Sequence, residues 1–147
     1  MLSDSLKVLL ATSYAFVIKA QNFHWNVEGS DFPQYHKFLG DLYSEVYDNA
    51  IDQTAEYIRV LGSYTPGSIS RFAELSLIPD QTKIPRAELM ISELEQDNAK
   101  LLSMWKQTFS IAEEADEQGI ANFIAERIDA HGKHSWMLRS ILNKSRA

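Results

Sequence analysis

Apolar residues recur along this chain in steps of three and four. In the first segment they stand at Leu6, Leu9, Leu10, Phe16, Val17 and Ala20, and His24 continues the same row. That spacing predicts an amphipathic helix over Leu2–Val27. Glu28, Gly29, Ser30 and Asp31 then interrupt the pattern. Gly29 suits a helix stop, Asp31 an N-cap, and Pro33 the first turn of a second helix over Phe32–Leu61. The cluster Gly62, Ser63, Thr65, Pro66 and Gly67 ends it. The connection over 63–84 is too long for a hairpin and carries a short helix of its own, Ser70–Leu75. Pro85 opens a third helix over 85–112, with Leu89, Leu94, Leu101, Leu102, Trp105 and Phe109 in its apolar row. Glu113–Glu117 marks a turn, in which Asp116 is placed as N-cap of a fourth helix. That helix runs to about Asn143 through Ile120, Ile124, Ile128, His131, Leu138 and Leu142. Strand alternation, internal repeats and low-complexity segments are absent.

Two helices joined by a short turn, a long crossover, and two more helices joined by a short turn predict an all-α protein. The expected architecture is a ferritin-like four-helix bundle, up-down-down-up, with a short extra helix between helices two and three. A length of 147 residues fits a single domain over 1–147.

The polar positions of the second helix break the usual pattern. Asp41, Glu45, Asp48, Asp52 and Glu56 follow one another at steps of four, three, four and four. On a straight helix they fill a band roughly 80° wide. Such a face is commonly solvated surface, yet solvated faces usually mix signs, because acidic neighbours at this spacing repel by roughly 0.2–0.5 kcal/mol per pair. The first cation on the band is Arg59, after the run has ended, so something positive is expected against it. Two imidazoles, His24 and His36, stand upstream. Carboxylate and imidazole together are ligands for iron, manganese or zinc, although a histidine in an apolar row, as His24 is, also fits a core position.

A net charge of -6 argues against a general nucleic-acid binder and suits a protein that gathers cations. The absence of cysteine excludes disulfides, thiolate metal sites and cysteine nucleophiles. No run of 18 apolar residues and no cleavage-site pattern occurs, so a soluble, cytoplasmic protein with no membrane partner is expected.

The Glu-x-x-His pair that builds a dinuclear site inside one ferritin-like bundle is missing: Glu126 is followed three residues on by Asp129, and neither His131 nor His134 has Glu three before it. What the chain does carry is His24-Trp25 with His36 twelve residues after His24, then Asp52 and Glu56 as Asp-x-x-x-Glu, the segment Pro66–Ser76, and His131–Leu142. Together these motifs resemble the Dps family of mini-ferritins across nearly the whole chain. The resemblance implies a shell of twelve subunits built from two-fold dimers, which oxidises Fe(II) with hydrogen peroxide or O2 and stores ferric mineral inside. It also implies dinuclear or mononuclear iron sites between subunits. His24, His36 and Asp41 would come from one chain, Asp52 and Glu56 from its partner.

The sequence departs from the family in two places. The family's Asp falls four residues after the second His and its Asp-x-x-x-Glu begins fifteen after. Here the fourth position is Gly40, Asp41 is fifth and Asp52 sixteenth. The pattern resembles one residue inserted between His36 and Asp41, and on a straight helix His36 would lie ~160° from Asp52. A π-bulge near Leu39–Gly40 is the expected remedy. The second departure is Tyr57, where the family often has Arg. Of the remaining features, Trp25 could shield the site or pack. Trp136, His131 and His134 read as core or subunit contacts. Glu45 and Asp48 could nucleate mineral, and Glu113, Glu114, Asp116 and Glu117 form a solvated turn or an acidic entry pore. The reading is an iron-storing ferroxidase. The competing readings are a DNA-protecting protein, not favoured because only Lys7, Lys144 and Arg146 lie near the termini, and a metal-buffering shell without catalysis.

Overall fold

The structure, a computed structural model, describes residues 1–143. Among them are five helices and no strand. Helix α1 is Leu2–Asn26. Helix α2 is continuous but of mixed type, α-helical over Phe32–Val46, a π turn over Tyr47–Ile51, and α-helical again over Asp52–Val60. The short α3 is Ile69–Leu75, α4 is Ala87–Glu114 and α5 is Gln118–Ile141. This is the four-helix bundle with one extra helix in its long connection that the pattern predicts. Lys144 and Arg146 lie outside the described residues.

Burial follows the apolar rows. Leu6, Leu9, Phe16 and Phe23 of α1, Leu39 and Val46 of α2, Leu94 and Trp105 of α4, and Ile124 and Leu138 of α5 all enter one core. Asp31 is the N-cap of α2 and Pro33 falls in its first turn, though the Asp31 side chain makes no capping bond. Gly62, at φ 91°, ends α2 in a conformation that a side chain would strain. The α4–α5 turn differs from expectation. Asp116 is not the N-cap: it takes the left-handed position itself, at φ 57°, and Glu117 caps α5. Asp tolerates that region better than most residues do, so the tight turn uses it for backbone shape.

The long crossover is fastened at both ends. Thr65 donates to the Ala55 carbonyl at 2.6 Å, Phe72 of α3 stacks on Tyr14 of α1 with ring centres 5.0 Å apart, and the Leu77 amide donates to Thr12 Oγ1. Inside, Lys19 of α1 reaches Asp97 of α4 at 2.8 Å and Glu93 at 3.9 Å, and Gln81 of the crossover donates to Glu93. Both Lys19 and Asp97 are buried. Burial raises the Asp97 carboxyl against the opposing pull of Lys19.

Removing one partner of such a pair leaves the other charge stranded. Lys19→Ala should cost about 3–5 kcal/mol, whereas Lys19→Met/Asp97→Leu should recover most of that loss. Urea unfolding at fixed protein concentration checks both. Equal destabilisation in the single and double variants would show that volume, not charge, sets the cost.

Candidate functional site

The short turn between α1 and α2 brings His24, at the end of one helix, against His36, at the start of the next. Their rings stack at 3.8 Å between centres and 13° between planes. His24 Nδ1 lies 2.6 Å from the His36 carbonyl oxygen, and His36 Nδ1 lies 2.7 Å from the His24 carbonyl oxygen. A carbonyl only accepts, so each ring carries a proton on Nδ1, and in the neutral ring the lone pair is left at Nε2. Ligating imidazoles are commonly oriented this way, by a hydrogen bond from the nitrogen that does not bind metal. Phe32 stacks on His36 at 4.9 Å and Tyr43 meets His24 edge-on at 5.4 Å, so aromatic rings flank the pair. Trp25 points outward, 64% exposed, and adds nothing to that packing.

Gly40 makes room for the arrangement. A Cβ built there would lie 2.9 Å from His24 Cε1 and 3.1 Å from Nδ1. Asp41, the next residue, does not join the histidines: it is exposed and bonded to Lys37 at 2.8 Å. Helix α2 is regular through 32–46, so no π-bulge occurs near Leu39–Gly40 to turn Asp41 inward. The π turn lies later, at Tyr47–Ile51, with the Gln53 side-chain Nε2 donating to the Asp48 carbonyl beside it. Two expectations are thereby corrected. The residue four after His36 is Gly40, and Asp41 lies on the solvent side. Downstream, the π turn absorbs the extra residue, so Asp52 stands ~60° from His36 around the helix instead of ~160°.

The same turn divides the acidic stripe. Glu45, before it, faces the bundle interior. Arg127 of α5 grips it through two bonds of 2.7 and 3.0 Å, and His134 donates to it at 2.6 Å. The positive charge expected against the stripe is here a guanidinium of the same chain, and Glu45 is not offered to mineral. Asp48, Asp52 and Glu56 are exposed, and none has an ion-pair partner among the described residues. Tyr57 packs against Phe123 at 5.3 Å. Among the described residues no three of His, Asp and Glu form a group able to hold a metal. One chain thus holds a pair of prepared imidazoles and, apart from it, unneutralised carboxylates.

His131 and His134 are buried, as their spacing implied, while Trp136 is 58% exposed. Sequence reasoning missed Arg127, whose only signal was its place one turn before His131, and it missed the reason for Gly40. A glycine within a helix, four residues after a histidine, was the visible sign of the latter.

A family model described as a ferritin-like domain matches residues 3–147. An uncharacterized low temperature-induced protein of Nostoc sp. is 32% identical over 135 residues, 90% of this chain and 75% of that one. DNA protection during starvation protein 2 of Bacillus anthracis is 30% identical over 126 residues, 86% of each chain. The crystal structure of a Dps protein from Vibrio cholerae, described as a member of a broad superfamily of ferritin-like diiron-carboxylate proteins, matches with a TM-score of 0.92 at 25% identity, covering 96% of this chain and 88% of that one. The chain belongs to the Dps family of ferritin-like proteins.

Gly40→Ala should displace the His24 ring and break its bond to the His36 carbonyl. The histidine ring signals in a proton–nitrogen NMR correlation spectrum report this directly, through loss of one protected Nδ1–H. Unchanged signals would mean that the ring tolerates the methyl group. A second expectation concerns acid. Burial alone would raise the Glu45 carboxyl, but the hydrogen bonds from His134 and Arg127, with their charge, hold it far below the ordinary carboxylate range. A carboxyl depressed in the folded chain adds stability above its unfolded value, 4.5, and loses it as the pH falls below that. Glu45→Gln should therefore flatten the acid limb of a Tm-against-pH curve and lower Tm at neutral pH. A parallel curve would exclude Glu45 as its source.

Proposed function

We propose that this chain is a subunit of an iron-storing shell that oxidises Fe(II) at sites shared between two-fold-related copies. His24 and His36 of one subunit and Asp52 and Glu56 of its partner hold the iron, which is the substrate. The observation that carries this reading is the division of the donor set. Two imidazoles are fixed with free Nε2 lone pairs, two carboxylates are left unneutralised, and the chain by itself joins no three of them. The family membership and the diiron-carboxylate superfamily named for the Vibrio cholerae protein support iron as the metal.

The chemistry follows from the donors. Neutral imidazoles and anionic carboxylates bind Fe(II) and leave positions for water and oxidant. Two Fe(II) give one electron each to hydrogen peroxide, which takes up two protons and leaves as two waters. The carboxylates balance the rise from two to three positive charges on each iron. With Gly40 where the family carries Asp, the site has one carboxylate fewer to do so. That favours one competing reading, a shell that buffers divalent metal without turnover.

The test is complementation. The His24→Ala/His36→Ala and Asp52→Ala/Glu56→Ala variants should each lose the rapid ferric absorbance that peroxide or air produces after anaerobic Fe(II) loading. Co-assembled in equal amounts, they should recover roughly a quarter of the wild-type rate, because half of the two-fold pairs are mixed and each mixed pair holds one whole site of two. Recovery establishes a shared site. Wild-type binding of Fe(II) with no oxidation beyond the buffer rate would move the conclusion to metal buffering. Activity surviving in either double variant would remove these residues from the site.

A further inference from the structure

The centre of the bundle is built around Arg127, whose side chain is 2% exposed. Its Nη1 donates to Glu45 Oε2 at 2.7 Å, and its Nη2 reaches two acceptors, Glu45 Oε1 and His131 Nε2, both at 3.0 Å. His134 Nε2 is bonded to that same Glu45 oxygen at 2.6 Å. The lone pair of His131 faces the guanidinium for a structural reason. Its Nδ1–H is given to Asn98 Oδ1 at 2.7 Å, and Asn98 is held the right way round by donating to the His131 carbonyl and to Ser135 Oγ. Burial and then the charge of Arg127 push the His131 imidazole well below its ordinary value, so it stays neutral.

A carboxylate oxygen and a neutral imidazole, the latter oriented by an amide behind it, are the donors that a borderline divalent metal takes. A second imidazole stands within reach of the first oxygen. Here a nitrogen of Arg127 stands between two of these donors, 3.0 Å from Glu45 Oε1 and 3.0 Å from His131 Nε2. Among the described residues, Arg127 Nε and His134 Nδ1 of this cluster have no hydrogen-bonding partner.

We propose that Arg127 is the resident cation of the bundle interior, a specificity-determining residue that fills a metal position and confines metal to the surface of the subunit. Guanidinium suits the task. It stays charged at any pH the protein experiences, grips a carboxylate through two parallel bonds, and is tethered where no chelator removes it. A metal ion entering the interior would have to expel a buried charge held by Glu45 and His131.

The test uses the full-length assembly in a His24→Ala/Asp52→Ala background, which disables the surface site and separates this inference from the proposed function. Adding Arg127→Ala should create a site for about one Co2+ per subunit, made by Glu45, His131 and His134. It would be visible as new d–d absorption and as a Tm that rises by several degrees with added Co2+. The parent should show neither, and Glu45→Ala added to Arg127→Ala should abolish both. Arg127→Met, uncharged but close in length, guards against collapse of the cavity. If Arg127→Ala unfolds and Co2+ restores its helical circular dichroism, the inference is supported. It is overturned if either variant folds and no Co2+ is gained, or if both unfold and Co2+ rescues neither.

Discussion

Adding one residue to a helix turns everything beyond it by about 100°, and α2 takes its extra residue at Tyr47–Ile51. Most of what distinguishes this subunit depends on that placement. Before the π turn, α2 is in step with the bundle: Leu39, Leu42 and Val46 enter the core and Glu45 meets α5. From the π turn onward, Ile51, Thr54 and Ile58 continue the buried row while Asp48, Asp52 and Glu56 look outward. A straight helix of this sequence would have to sacrifice one half, since the register that buries Leu39 would not also bury Ile58 and Thr54. The helix accepts poorer hydrogen-bond geometry over one turn so that both ends pack.

The fold was legible in the sequence because its signals are redundant. Apolar steps of three and four, the breakers around Gly29 and Gly62, and a long middle connection all point to one architecture, and errors were confined to caps such as Asp116. The histidine pair was legible as two positions but not as an arrangement: nothing in the spacing of His24 and His36 says that their rings stack or that each donates to the other's carbonyl. The sixteen-residue interval from His36 to Asp52 showed that a π turn was needed. It could not show where, since a bulge forms where tertiary packing on both sides demands it. Asp41 was set beside the histidines for that reason, and Glu45 was read as a group that could nucleate mineral because Arg127 lies far away in sequence and meets it only in the folded bundle.

Charge is sorted by depth. Inside, Lys19 is matched to Asp97 and Arg127 to Glu45, each with further hydrogen-bonding neighbours, as burial of ions requires. Outside, the carboxylates of the second half of α2 have no ion-pair partner among the described residues. Among the described residues the buried charges Lys19, Asp97 and Arg127 are thus paired, whereas the surface of α2 carries several carboxylates without an ion-pair partner.

The reciprocal bonds of His24 and His36 end on main-chain carbonyls, which every residue possesses. The protonation pattern of each ring is consequently fixed by the course of the backbone and not by the identity of the opposite side chain. Either imidazole could be lost, or regained, while the other kept its orientation. In evolutionary terms the pair is reachable by single steps, with no requirement that both substitutions arrive together.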